Sequence, residues 1–135
     1  MAPIKNILFP FDSEVKSSSS FDYALDVAQK NKSHLIFLHT VRLNKDSGTL
    51  SGAKIRQRVS DRSFDLQEVI KSHSNQFERI TYEFHNEIGF FSSRVMLKIQ
   101  EYPIDLLLIE QGLLAELNGT RKLIECPIMV IPPLK

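Results

Sequence analysis

Lys5-Asn6-Ile7-Leu8-Phe9-Pro10-Phe11-Asp12-Ser13 decides how the rest of the chain is read. Ile7, Leu8, Phe9 and Phe11 make a short apolar run, with polar residues before it and an acid and several serines after it. A run of this kind, bounded by turn signals, predicts a strand buried on both faces, as in a parallel sheet. Asp12 then leaves the sheet at the strand's carboxyl end, just ahead of a helix. That end is where ligands bind in an open α/β sheet. Asp12 is therefore a candidate ligand contact, with helix capping as its alternative role.

Working outward, Ser13 to Ser20 reads as a loop and helix cap, with solvated capping serines preferred over phosphorylated ones. Phe21, Ala24, Leu25 and Ala28 recur at helical spacing and predict an amphipathic helix over about 18–30. Leu35 to Val41 is a second buried-strand run, and 42–52 a polar, glycine-containing loop. Ala53 to about Gln76 predicts a long helix, and Ile80 to His85 alternates with period two, as an edge strand does. Gly89 turns the chain into a helix capped by Ser92 or Ser93 and ended by Pro103. Leu106 to Ile109 is a strand, Leu113 to Glu125 a helix carrying the breaker pair Asn118-Gly119, and Ile128 to Ile131 the last strand.

Strictly alternating strands and helices imply a parallel sheet covered on both faces. Two strand orders fit, a flavodoxin-like 2-1-3-4-5 and a Rossmann-like 3-2-1-4-5. The alternating third strand favours the second, which puts that strand at an edge. The crevice then lies between strands one and four, with Asp12 on one lip and Glu110-Gln111-Gly112 on the other, where Glu110 reads as a solvent-facing acid. A receiver-type reading of the other order would need paired acids after strand one and an aspartate ending strand three. Asp12 stands alone, and the third strand ends in His85-Asn86.

The totals narrow the function further. The 135 residues predict one domain over 1–135, with 42% hydrophobic and 24% charged residues. A formal net charge of +1 gives no electrostatic basis for binding nucleic acid or an acidic membrane. One cysteine forms no internal disulfide, and no apolar run approaches the ~20 residues of a membrane helix. With no charged-then-apolar leader at the amino terminus, the expectation is a soluble, cytoplasmic protein. Cys126 reads as a small buried hydrophobe and His39 as a hydrogen-bonded core histidine, while His34, His73 and His85 lack metal-ligand spacing. Gly-x-Ser-x-Gly, P-loop and Gly-x-Gly-x2-Gly patterns are all missing from the sequence.

KNILFPFDSE (5–14), FDYALDVAQKNK (21–32), LIFLHTV (35–41), the isolated Gly89, DLLLIEQG (105–112) and CPIMVIP (126–132) together resemble the universal stress protein family, UspA-like, in the family's order. The resemblance implies the 3-2-1-4-5 sheet and a homodimer formed along the last strand, Ile128 to Ile131. It implies an ATP site, with Mg²⁺ present only alongside the nucleotide. Asp12 is carried toward ribose and phosphates, and the backbone near Val41 toward adenine. A Gly-x2-Gly-x9-Gly-Ser/Thr loop after strand four is carried toward the phosphates, where glycines let amides approach closely.

This sequence departs from that loop. The first glycine position falls on Glu110 and the second on Leu113, one residue past Gly112. Gly119-Thr120 matches the final pair, but only six residues separate Gly112 from Gly119. Asn118 to Thr120 reads either as an anion-holding helix start or as a tight turn with Thr120 as a new cap, the second being preferred. Two lost charge-assisted amide contacts, at ~1.5–3 kcal/mol each, amount to roughly 100- to 10,000-fold in affinity. The expectation is a non-enzymatic regulator of the universal stress type with a degenerate nucleotide site and protein partners. The alternative is an ATP-binding protein with slow hydrolysis or autophosphorylation. Candidate contacts are Asp12, Val41, Gly112, Gly119 and Thr120.

Overall fold

The computed structural model describes residues 3–12, 19–41, 68 and 70–132, the side chains of Asp12 and Ser19 excepted. The serine run before Ser19, the loop at 42–52 and most of the helix expected over 53–76 lie outside the described residues.

β1 (Asn6–Asp12) leads to α1 (Ser19–Asn31) and β2 (His34–Val41). A short helix α2 (Ser74–Phe77) precedes β3 (Thr81–Ile88), followed by α3 (Phe91–Glu101) and β4 (Leu106–Glu110). α4 (Gln111–Leu114) and two 3-10 turns, Ala115–Leu117 and Arg121–Leu123, connect to β5 (Ile128–Ile131). The strands form one five-stranded sheet in the order β3-β2-β1-β4-β5, every pairing parallel. The Rossmann-like order holds, and β3 is an edge.

The two faces of the sheet are built differently. Parallel partners share a face, so Phe9, Phe37 and Phe84 line up across β1, β2 and β3. Phe21 of α1 and Phe77 of α2 join them in one aromatic layer, with Phe37 and Phe84 stacked at 4.4 Å. The opposite face of β3 presents Glu83, His85 and Glu87 toward α3. There the side chain of Lys98, only 5% exposed, meets Glu87 at 2.6 Å and Glu101 at 3.6 Å. Burial alone would push Lys98 down, but its hydrogen bond to Glu87 and the nearby Glu87, Glu101 and Tyr102 charges hold it above the usual lysine range.

Asp105 anchors the central strand. Its Oδ2 accepts from the amides of Lys5 at 2.9 Å and Asn6 at 3.0 Å. This carboxylate seats the start of β1 beside the start of β4.

Three boundaries differ from the sequence reading. β3 runs on to Ile88, because the β2 ladder continues to Val41. Phe90 takes the extended N-cap position of α3, so Ser92 and Ser93 lie inside the first turn and cap nothing. Leu113 to Glu125 is not one helix: Gly119 adopts φ +93° and breaks it, leaving short turns on either side.

Candidate functional site

The crevice opens where two strands part. β1 stays in register with β2 as far as Asp12, whereas it pairs with β4 only at Ile7–Leu106 and Leu8–Leu107. Pro10 has no N–H to offer the ladder, so pairing with β4 ends short of it. Proline in a central strand ordinarily argues against a strand. Here it marks the point where the sheet opens, a signal present in the sequence but not used.

Asp12 ends β1 opposite Thr40. Val41 ends β2, is 2% exposed, and its carbonyl accepts from the Gly89 amide at 3.2 Å. That leaves the carbonyl a second lone pair. Gly89 has φ +148°, and a Cβ there would stand 2.7 Å from Arg94 Nε, which donates to the Ile88 carbonyl at 3.1 Å. Gly89→Ala should therefore cost about 1–3 kcal/mol in thermal or urea unfolding. Unchanged stability would show that the turn adapts.

On the other lip, β4 passes directly into α4, with Glu110 as an extended N-cap. Glu110 is half-buried and its Oε1 is sealed from solvent, so it is not the solvent-facing acid that the sequence suggested. Leu113 and Leu117 turn inward and join the hydrophobic core. Gly112 keeps an ordinary negative φ, and a Cβ there would meet nothing within 4 Å. Neither backbone geometry nor close approach demands glycine at this position.

Thr120 uses its hydroxyl locally. Oγ1 donates to the Leu117 carbonyl at 2.9 Å, and its amide reaches the same carbonyl at 3.0 Å. It precedes the Arg121–Leu123 turn without capping it through its side chain. The expected capping role is corrected: the hydroxyl closes the preceding turn. Asp12 and Val41 thus stand on adjacent strand ends, while Gly112, Gly119 and Thr120 belong to a chain of short helical turns.

The other singled-out residues are structural. His39 is buried, stacks on Phe11 at 5.1 Å and pairs through Nδ1 with Asn86 Oδ1 at 3.0 Å. Cys126 is half-buried rather than fully so, and burial raises its thiol above the usual range. His34 and His85 meet through Glu83, whose two oxygens lie 3.0 Å from His34 Nε2 and 3.2 Å from His85 Nε2. Burial pushes Glu83 up, but hydrogen bonds from His34 and His85, with their charges, outweigh it and hold the carboxyl below its usual range. This grouping was missed; its signal was the shared face of Thr81, Glu83 and His85 on β3, opposite a strand that begins at His34. No group of three His, Cys, Asp or Glu among the described residues could hold a metal ion. No helix among them is long and apolar enough to cross a membrane.

No protein-family model matches the chain, and no curated protein does. Solved structures match along its whole length. A universal stress protein family member from Burkholderia pseudomallei is 15% identical, with 98% of this chain and 99% of that one covered, at a TM-score of 0.75. A universal stress protein in complex with cAMP is 11% identical, with 97% and 98% covered, at 0.64. A universal stress protein family protein from Arabidopsis thaliana with AMP bound is 15% identical, with 96% and 92% covered, at 0.63. The match extends over nearly the whole length of both chains in each case: the chain has the fold of the universal stress proteins.

Proposed function

We propose that this protein is a non-catalytic, cytoplasmic regulator of the universal stress type, acting in a stress response through dimerisation and partner proteins, with a degenerate nucleotide site. The observation that carries this reading is the segment after β4. A glycine-rich phosphate loop would present free amides there. This chain has helical turns from Gln111 to Leu117, anchored by Leu113 and Leu117 in the core. The first-turn amides of α4 are left without backbone partners, but they follow directly on the N-cap Glu110, whose carboxylate brings negative charge where a phosphate would sit.

Calorimetric titration with Mg·ATP tests the reading. No saturable binding is expected below roughly 100 µM, in keeping with an affinity loss of the order estimated for two missing contacts. A dissociation constant in the low micromolar range would overturn it. The second reading, ATP binding with slow hydrolysis or autophosphorylation, is favoured by the AMP and cAMP bound in similar folds. It requires that Asp12→Ala abolish binding and that labelled phosphate appear on serine. Mg²⁺ enters only with the nucleotide in either case.

The homodimer is proposed to pair along β5. This strand is the sheet's second edge, and Met129 on it is 37% exposed. Natural proteins rarely leave an apolar edge bare. Sedimentation should give a dimer at micromolar concentration. Met129→Asp should weaken it about 100-fold or more by forcing an unpaired carboxylate into the interface. A wild-type monomer would overturn the pairing.

A further inference from the structure

We propose that a cavity at the amino-terminal end of the sheet binds a free acidic amino acid, its two carboxylates met by Lys32 and Arg79 and its ammonium by Glu78. The cavity lies at the end of the strands opposite the crevice, so the proposal is independent of whether the crevice holds a nucleotide.

The cavity measures about 260 Å³ and is lined by Lys32, Ser33, Glu78, Arg79, Ile80 and Thr81. Two turns build it: Lys32-Ser33 joins α1 to β2, and Glu78 to Ile80 joins α2 to β3. From there β2 and β3 run side by side, with His34 opposite Thr81. Both turns are fastened. Ser33 is buried and its Oγ donates to the Ile4 carbonyl, while the Arg79 amide donates to the Gln76 carbonyl at 3.1 Å. Pockets for drug-sized ligands run to ~300–1,000 Å³, so a space just below that range suits a smaller solute.

Lys32 is what points to a ligand. It is the one non-glycine residue with a positive φ among the described residues, at +54°. Its amide donates to the Gln29 carbonyl at 3.2 Å and the Ser33 amide to the Ala28 carbonyl at 2.9 Å. These two bonds make a Schellman ending for α1, whose left-handed residue is ordinarily glycine because a Cβ is strained there. A lysine in that position costs stability, and backbone strain of this kind clusters where a side chain is used. Lys30, two residues earlier, is held by Asp26 at 3.0 Å. Lys32, Glu78 and Arg79 form no ion pair among the described residues. Three charged residues thus line one small cavity without neutralising one another.

Two cations and one anion are matched, charge for charge, by two carboxylates and one ammonium. An acidic amino acid carries that set. Arg79 supplies a planar fork that can hold a carboxylate by two hydrogen bonds, and Lys32 a point charge for the other carboxylate. Glu78 accepts from the ammonium. The carboxyl end of α1 adds negative partial charge beside Lys32, which favours a ligand with an ammonium over a bare dianion.

Calorimetric titration of the full chain with L-glutamate, glutarate and L-glutamine tests the proposal. Glutamate should bind saturably, with a dissociation constant of about 1 mM or lower. Glutarate lacks the ammonium and glutamine the second carboxylate, so each should bind about tenfold more weakly, the scale of one charge-assisted contact. Arg79→Gln should weaken glutamate by a similar factor, and Glu78→Gln should abolish the preference for glutamate over glutarate. Lys32→Gly should weaken glutamate about tenfold while the urea midpoint stays equal or rises, because glycine relieves the left-handed backbone. A lysine with only a structural role would leave glutamate affinity unchanged in Lys32→Gly, and that result overturns the inference. So does the absence of saturation by glutamate at about 10 mM, or equal binding of all three solutes, which would mark unspecific charge attraction.

Discussion

Glu87→Leu should destabilise the protein by about 3 kcal/mol in urea unfolding, the scale seen when one member of a buried ion pair is removed. Lys98 is the reason. Its side chain is 5% exposed and its closest anion is Glu87 at 2.6 Å, while Glu101, at 3.6 Å, is 55% exposed and a weaker partner. Without Glu87 the ammonium stays buried with little to offset its lost hydration. Replacing both residues, Glu87→Leu with Lys98→Met, should recover most of the loss, because an apolar pair of similar volume fills the space without a charge to compensate. The pH dependence has a definite sign. Lys98 is held above its ordinary range in the fold, so its contribution is complete below the unfolded value of ~10.4 and is lost as pH rises through the folded one. The gap between wild type and Glu87→Leu should narrow in that upper window. A single-variant cost below about 1 kcal/mol, as for an exposed pair, would show that Lys98 does not depend on Glu87.

Phe37→Ala should cost about 3–5 kcal/mol, as large-to-small changes of core aromatics do. Phe37 is fully buried and lies at the centre of the aromatic layer. It stacks on Phe84 at 4.4 Å and has Phe9, Phe21 and Phe77 within 6.0 Å, centroid to centroid. Truncation removes a side chain touched by both neighbouring strands and both helices of that face, so the site cannot collapse onto one neighbour. Phe37→Leu should cost less, about 1.5 kcal/mol, since most of the volume is retained. Urea unfolding separates the two outcomes. A cost for alanine close to that for leucine would mean that the layer repacks around the gap.

The fold was legible in the sequence because its signals were redundant. Four apolar runs and one alternating strand pointed both to the parallel sheet and to the edge position of β3. Short-range details were harder. Lys98 sits one turn from Val95 on the buried face of α3, and Leu97 is 42% exposed, so a hydropathy pattern assigns both to the wrong side. Helix extent between β4 and β5 depended on the positive φ of Gly119, which composition marks only as a possible break. The position of the candidate site was partly legible: Asp12 follows from the end of its strand and Val41 from the resemblance, and both stand at strand ends. The altered lip was visible as missing glycines, but its replacement by core-anchored Leu113 and Leu117 was not, because inward and outward leucines look alike in a short turn.

The carboxylate of Asp105, which holds the amides of Lys5 and Asn6, joins residues a hundred positions apart. On the ribosome this has a consequence of timing. β2 follows β1 closely in the chain, but β1's other flank waits for β4, about a hundred residues further on. Synthesis arrested before Leu106 would leave the Ile7 and Leu8 side of the central strand bare, an apolar edge of the kind that aggregates or recruits chaperones. The strand at the middle of the finished sheet is thus an edge while the hundred residues between β1 and β4 are made.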